Sequence, residues 1–330
     1  MKVLITGCAG LLGANFSRYL LSKDYEVVGI DNLSGGFASS IPKEVVFYNQ
    51  DLAESFEVEE IFNKEKPDYV YHFAAYAAEG LSPFIRNYNY TNNILCSINV
   101  INACVNHGTK KVIFTSSMAV YGEGHPPFTE DQLPCPEDPY GVAKYAVEMD
   151  LKLASDMFGL KYNIVRPHNV VGVYQNIWDR YRNVIGIWIR KILNGEPVTI
   201  FGDGTQVRAF SDIRFYMEPF EKLMHGYDSE TFNIGTDKYF TINEAADLLI
   251  DVAADLSYSS EKIYLGERNE VHTAYCDHAK AKELLGFEDK TNLRDTMGAM
   301  INWAQEQPNR EVKDMHYEIE KMMYDFWKKK

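Results

Sequence analysis

Tyr140 and Lys144 stand four residues apart in Tyr140-Gly141-Val142-Ala143-Lys144, downstream of Thr115-Ser116-Ser117. On a helix, positions i and i+4 share a face, so a phenol and an ammonium at this spacing point into the same space. A cation beside a phenol favours phenolate and is expected to lower its pKa towards neutrality. Such a tyrosine acts as general base on a hydroxyl, and a serine hydroxyl shares that hydrogen bond. Ser117 is the expected serine. Taken alone, Tyr-x-x-x-Lys is just as well the face of an ordinary amphipathic helix, so the elements around it decide its meaning.

The start of the chain supplies that context. An apolar run, Lys2-Val3-Leu4-Ile5, leads into Thr6-Gly7-Cys8-Ala9-Gly10-Leu11-Leu12-Gly13, and a second run, Val27-Val28-Gly29-Ile30, ends on Asp31. Glycines here let the chain turn sharply out of a strand, bring bare N–H groups against a pyrophosphate and allow close packing of the following helix. A carboxylate at the tip of the next strand can accept both hydroxyls of an adenosine ribose. Asp31 therefore favours NAD over NADP, because a 2′-phosphate would meet its charge and no arginine follows it immediately.

Composition narrows the class. A chain of 330 residues, 46% hydrophobic, holds a large α/β domain with an appended second one. No apolar stretch is long enough to span a membrane, and the apolar start runs straight into the glycine turn, which argues against a cleaved signal peptide. The five cysteines, Cys8, Cys96, Cys104, Cys135 and Cys276, are odd in number and lack metal-ligand spacing, so they read as reduced thiols and point to a cytoplasmic protein. A formal charge of −14 argues against nucleic acid and anionic membranes. An anionic substrate is still admissible, but only with locally placed arginines and helix N-termini.

Strands are predicted over 2–6, 26–30, 45–49, 69–73, 111–115 and 161–166, alternating with helices over 11–22, 56–63, 88–107 and 140–158. That alternation predicts a Rossmann-like, doubly wound parallel sheet covered on both faces. The dinucleotide-binding domain is assigned to residues 1–170, with a return strand near 231–235. Residues 171–330 are assigned to a smaller mixed α/β substrate domain. Within the latter, 197–201 reads as a strand, and helices are predicted over 183–194, 216–226, 243–254, 278–285, 293–306 and 313–328. Acids early and Lys328-Lys329-Lys330 late would suit the dipole of the last of these.

Together these segments resemble the extended short-chain dehydrogenase/reductase family, in its nucleotide-sugar epimerase and dehydratase branch. The resemblance runs through Thr6-Gly7 to Gly13, Asp31-Asn32-Leu33, Asp51-Leu52, His72-Phe73-Ala74-Ala75, Thr115 to Gly122, Pro139 to Lys144, Arg166-Pro167-His168-Asn169 and Ile200 to Arg208. It extends through Ala274-Tyr275-Cys276-Asp277 to Leu284-Leu285-Gly286. It implies that Gly7, Gly10, Leu11, Leu12, Gly13, Asp31, Asn32, Asp51, Leu52, Ala74, Ala75, Asn93, Tyr140 and Lys144 hold NAD. Asn169 and Arg208 match residues that hold the substrate's diphosphate, and Arg208 suits the task because a guanidinium fork fits phosphate oxygens. For Arg268 two readings stand, the same duty or a solvated surface arginine. Members often pair two long helices per subunit, so the resemblance also implies a homodimer.

The residues after Ser117 choose among members. Dehydratases of the branch place an Asp-Glu pair there to eliminate water, and decarboxylating relatives usually keep a glutamate at the second position. Here stand Met118 and Ala119, which transfer no proton. The expected activity is therefore NAD-dependent epimerisation at C4 of a UDP-hexose through a 4-keto sugar. UDP-glucuronate epimerase, nucleotide-sugar dehydratase and, more distantly, a non-catalytic NAD-binding regulator are the alternatives. One departure is Ala77, where galactose epimerases carry a lysine. Nearby, Glu79 either faces the sugar or serves as a helix-start acid, and Ser117 and Met118 line the sugar site. Arg180 and Arg182 either meet a C6 carboxylate or lie at a solvated helix start.

Overall fold

The computed structural model describes residues 1–122, 124–268, 271–312 and 314–328. Val3, Leu4 and Ile5 are all fully buried, although successive strand residues point to opposite faces. Their strand, β1 (Lys2–Thr6), is therefore covered on both sides, as parallel sheets require. It lies inside a seven-stranded parallel sheet with β2 (Glu26–Asp31), β3 (Val46–Asn49), β4 (Tyr69–His72), β5 (Lys111–Thr115), β6 (Tyr162–Pro167) and the strand Glu230–Ile234. From one edge the order is Glu230–Ile234, β6, β5, β4, β1, β2, β3, the Rossmann-like arrangement. The chain runs outward from β1 to β3 and then crosses back to β4. The loops after β1 and β4 consequently diverge and open a crevice at the carboxyl ends of the strands.

One face is covered by α2 (Ser55–Glu65), α4 (Cys96–Asn106) and α5 (Pro139–Phe158) through residues such as Phe62, Val100 and Leu151. On the other, α1 (Leu11–Leu21) supplies Phe16 and Leu20, and α7 (Met217–His225) supplies Phe220 and Leu223. Leu285 and Phe287 join the same core. The nucleotide-binding core thus draws on residues well beyond 170. A second core, with Trp188 and Ile189 of α6 (Val184–Leu193), Leu249 and Met300, supports the small sheets of the second unit.

The expected helix over 88–107 is one continuous helical run, in which α3 (Arg86–Tyr90) passes through a wider turn, Thr91–Leu95, into α4. One expected helix is absent. The span 313–328 is not helical among the described residues; Lys313, Lys329 and Lys330 lie outside them. Its aromatic side chains gain more by packing on the rest of the protein than its helix propensity offers. Trp327 stands edge-on to Tyr181 at 5.3 Å, and Phe326 lies 4.5 Å from Phe201. No helix among the described residues is long and apolar enough to cross a membrane.

Candidate active site

A cleft of about 1390 Å³ lies over the carboxyl ends of the strands, between the parallel sheet and the second core. At its floor is the glycine turn. Gly7 adopts φ +70°, and a Cβ there would lie 2.8 Å from the Ala74 nitrogen, so only glycine lets β1 and β4 approach this closely. Gly10, Leu11 and Leu12 line the cleft where α1 begins. Gly10 provides no side-chain cap and the first turn carries no acid, so the helix N-terminus presents N–H groups suited to an anion. Gly13 does not line the cleft. It sits against the turn, where a Cβ would come within 2.3 Å of the Gly7 carbonyl oxygen.

The Asp31 carboxylate accepts from the backbone N–H of Ala9 at 3.0 Å and of Leu33 at 2.7 Å. Burial raises its pKa, while those two hydrogen bonds and the charge of Arg182 pull it back. Asn32 donates to Asp51 at 2.9 Å, and Asn99 donates to the Leu52 carbonyl at 2.8 Å, shaping an adjoining pocket wall. Ala74 and Ala75 line the opposite wall. Asn93 stands behind that wall rather than in it: its amide accepts from Tyr76 N at 3.0 Å and donates to Tyr76 O at 3.2 Å. The cleft itself meets the neighbouring Asn92.

At the far end, Asp138 caps α5 by accepting from Tyr140 N at 2.8 Å and Gly141 N at 3.0 Å. With Pro139 opening the helix, this fixes where Tyr140 and Lys144 project. Ser82 donates to Asp138 at 3.2 Å, which ties the short turn Glu79–Phe84 to the same helix end. Glu79 opens that turn and also lines the cleft.

The lysine alone does not supply the lowering expected for the tyrosine, which also counts on the positive ring of the cofactor. Burial pushes the Tyr140 phenol well up, the charge of Glu79 adds to this, and the neighbouring Ser117 hydroxyl only partly opposes it. Burial also pushes the Lys144 ammonium down to about 7, against the pull of Glu148. Lys144 donates to the Thr115 carbonyl at 2.8 Å, and its Nζ lies 5.8 Å from the Tyr140 ring centroid. Desolvation outweighs a lysine held at that distance. The hydroxyls of Thr115 and Ser116 line the cleft here and are buried without a hydrogen-bond partner among the described residues. A site able to receive a polar ligand has this character.

The second unit contributes the roof. Asn169, at φ +39°, turns a buried amide nitrogen without a partner among the described residues into the cleft lining. Arg208 lines it as well, donating to the carbonyls of Val207 at 2.9 Å and Val271 at 2.6 Å. Arg268 covers the ring of Phe201 at 4.1 Å rather than standing alone in solvent. Arg182 pairs with Asp179 at 2.8 Å and leans on the Gly35 carbonyl at 3.3 Å, while Arg180 pairs with Asp314 at 2.7 Å, away from that wall. Met118 and Ala119 line the cleft beside Ser117.

Sequence reasoning missed the rim. Ile319, Lys321, Met322 and Tyr324 line the cleft from the last segment, as do Ser34, Gly35 and Gly36 from the turn after β2. The Gly-Gly pair was a visible turn signal, whereas nothing local shows where the aromatic tail docks.

The sequence model of the NAD dependent epimerase/dehydratase family matches residues 3–235. A UDP-glucose 4-epimerase of Halalkalibacterium halodurans is 30% identical, the match covering 94% of this chain and 97% of that protein. Among solved structures, the UDP-glucose 4-epimerase of Thermotoga maritima with UDP-glucose superposes with a TM-score of 0.87 at 33% identity, covering 92% of this chain and 99% of that one. The UDP-glucuronic acid 4-epimerase of Bacillus cereus, in complex with UDP-glucuronic acid and NAD, gives 0.82 at 28% identity, with 92% and 99% covered.

Proposed function

The chain belongs to the NAD-dependent epimerase/dehydratase family, and from that premise we propose that it inverts C4 of a UDP-hexose of the UDP-glucose/UDP-galactose type. The observation that carries this reading is a buried Tyr140 that lines the cleft together with Ser117, with the proton-inert Met118 and Ala119 beside them.

The residues fit a dinucleotide. Gly7, Gly10, Leu11 and Leu12 cradle its diphosphate on an uncapped helix start, and Asp31 takes the adenosine ribose. Asn32, Asp51 and Leu52 border the adenine, Ala74 and Ala75 flank the middle, and the unpartnered hydroxyls of Thr115 and Ser116 lie at the reactive end. When bound, NAD+ supplies an acceptor for the C4 hydride and a positive ring that draws Tyr140 towards phenolate against the effect of burial.

Tyr140 takes the proton of the C4 hydroxyl and later returns one, while Ser117 shares the hydrogen bond. Lys144, held on Thr115, fixes the local positive potential behind the phenol. Asn169 and Arg208 hold the diphosphate of the sugar nucleotide, about which the 4-keto sugar turns to present its other face. Elimination of water needs an acid beside Ser117, and neither Met118 nor Ala119 is one.

We infer a homodimer from α5. Val142, Met149 and Leu153 are exposed on one side of it, near the exposed Leu95 that precedes α4. Five unpaired cysteines suit a reducing, cytoplasmic setting.

The test is a panel of UDP-, dTDP-, GDP- and CDP-sugars with product NMR. UDP-glucose should yield UDP-galactose with no net change in cofactor redox state. A product lighter by one water would identify a dehydratase, and absence of turnover across the panel would point to a binding protein.

A further inference from the structure

The guanidinium of Arg182 stands where three walls of the cleft converge, although it comes from a segment remote in sequence from all three. Its Nη2 reaches the Gly35 carbonyl at 3.3 Å, and Asn176 donates to the same carbonyl at 3.1 Å. Beneath it lies the ring of Tyr76, with Cζ 4.9 Å from the centroid. Gly36, the next residue, rests on the glycine turn: a Cβ there would come within 2.4 Å of the Ala9 carbonyl oxygen. The arrangement is locked from outside, since Trp178 meets Phe37 edge-on at 5.3 Å and Arg310 covers Phe37 at 3.7 Å. Residues 35–37 and 176–182 thus form a clasp closed across the cleft above the turn that begins α1.

We propose that Arg182 is a ligand of the cofactor's diphosphate, carried over the glycine turn by this clasp. A dinucleotide with its ribose on Asp31 and its reactive ring at Tyr140 must pass its diphosphate between the start of α1 and the clasp. Arg182 lines the cleft, and its guanidinium stands over Gly35, whose neighbour Gly36 packs on Ala9 of the glycine turn. Asp179 holds Nε at 2.8 Å and Gly35 engages Nη2, so two of the five N–H donors orient the fork. The residue itself lines the cleft. An oriented fork suits the oxygens of a diphosphate that passes the start of α1, and a chain of net charge −14 must supply that charge locally. Arg182 is therefore assigned to the cofactor rather than to a sugar carboxylate, and release of NAD requires the clasp to open.

This inference rests on the preceding reading only for the identity of the cofactor. Its test uses Arg182→Ala and Arg182→Gln in the full chain, the latter shorter than arginine but keeping a polar N–H donor group while removing the charge. NAD retained per chain after gel filtration is quantified, and the Kd for NAD+ is measured by calorimetry on protein stripped of it. Both variants should lose affinity by roughly tenfold or more, as loss of a charge-assisted hydrogen bond implies, and should release NAD faster. If the alanine variant does not fold, the glutamine variant decides. Unchanged NAD affinity and release overturn the proposal, as does a raised KM for the sugar nucleotide with NAD binding intact. NAD affinity is read whether or not any sugar is turned over, so failure of the epimerase reading and failure of the clasp are distinguishable.

Discussion

Glu148 grips Arg166 with both carboxylate oxygens, 2.9 Å from Nε and 2.6 Å from Nη2, and each side chain is only 5% exposed. Glu148 lies one helical turn beyond Lys144 and sustains its charge against burial. Arg166 also donates to the Tyr121 hydroxyl at 2.8 Å, so the pair joins β6, α5 and the turn after Ser117. Breaking one side of a buried pair leaves the other charge uncompensated. Glu148→Gln is expected to cost ~3–5 kcal/mol in chemical denaturation. A loss within error of zero would show that the pair is solvated or replaceable.

Tyr140→Phe keeps the buried ring and removes only the phenolic oxygen. Folding stability should change by about 1 kcal/mol, the scale of one hydrogen bond. Turnover should fall by at least ~10²–10⁴, the contribution of a positioned general base. Melting temperature and epimerisation rate, measured on one preparation, separate the two effects. Near-normal turnover would move the base elsewhere.

Acid sensitivity follows from buried imidazoles. Burial lowers both His72 and His168 from 6.5 to about 3, so the folded protein holds them neutral. Between those pH values the unfolded chain binds protons that the native state does not, and stability therefore rises with pH there and falls as pH drops. Denaturation midpoints should decline from pH 7 to pH 5, before carboxylates begin to contribute. His72→Asn, next to Thr6 and Ser97, should flatten that slope; a slope equal to that of the parent protein would remove His72 from the account.

Gly13→Ala places a Cβ 2.3 Å from the Gly7 carbonyl oxygen and 2.6 Å from Cys8 Cα, both backbone atoms. Neither neighbour can rotate away, so α1 must shift from β1 and carry its N-terminus with it. A destabilisation of about 1–3 kcal/mol and weakened NAD binding are expected. Calorimetric NAD affinity at the parent value would show that α1 need not stand this close.

The sheet was legible because its determinants are local: apolar runs, punctuating glycines and the acid at Asp31 all act within a few residues. The Tyr140 and Lys144 spacing was legible for the same reason. Their ionisation was not, because burial depends on which other segments close over them. Arg182 was visible as a cation but not as a neighbour of Gly35, since that contact depends on how the second unit folds back. The span 313–328 misled because its charge pattern suits a helix, whereas its aromatic residues find partners far away in sequence.

That span gives the last expectation. Glu318 accepts from the backbone N–H of Asn87 at 2.7 Å and of Tyr88 at 2.9 Å, and Trp327 packs against Phe84 at 6.0 Å and Tyr181 at 5.3 Å. Phe84 ends the turn that begins at Glu79, and the same turn is bonded through Ser82 to the cap of α5. A strap docked on this turn therefore helps hold the wall that faces Tyr140. Trp327→Ala removes a side chain only 5% exposed and should cost about 3–5 kcal/mol, the range for truncating a buried aromatic. Because the wall and not the base is loosened, KM for the sugar nucleotide should rise more than kcat falls. A fall confined to kcat would instead place the effect on the chemistry of Tyr140, and an unchanged melting temperature and KM would mean that the strap merely decorates the rim.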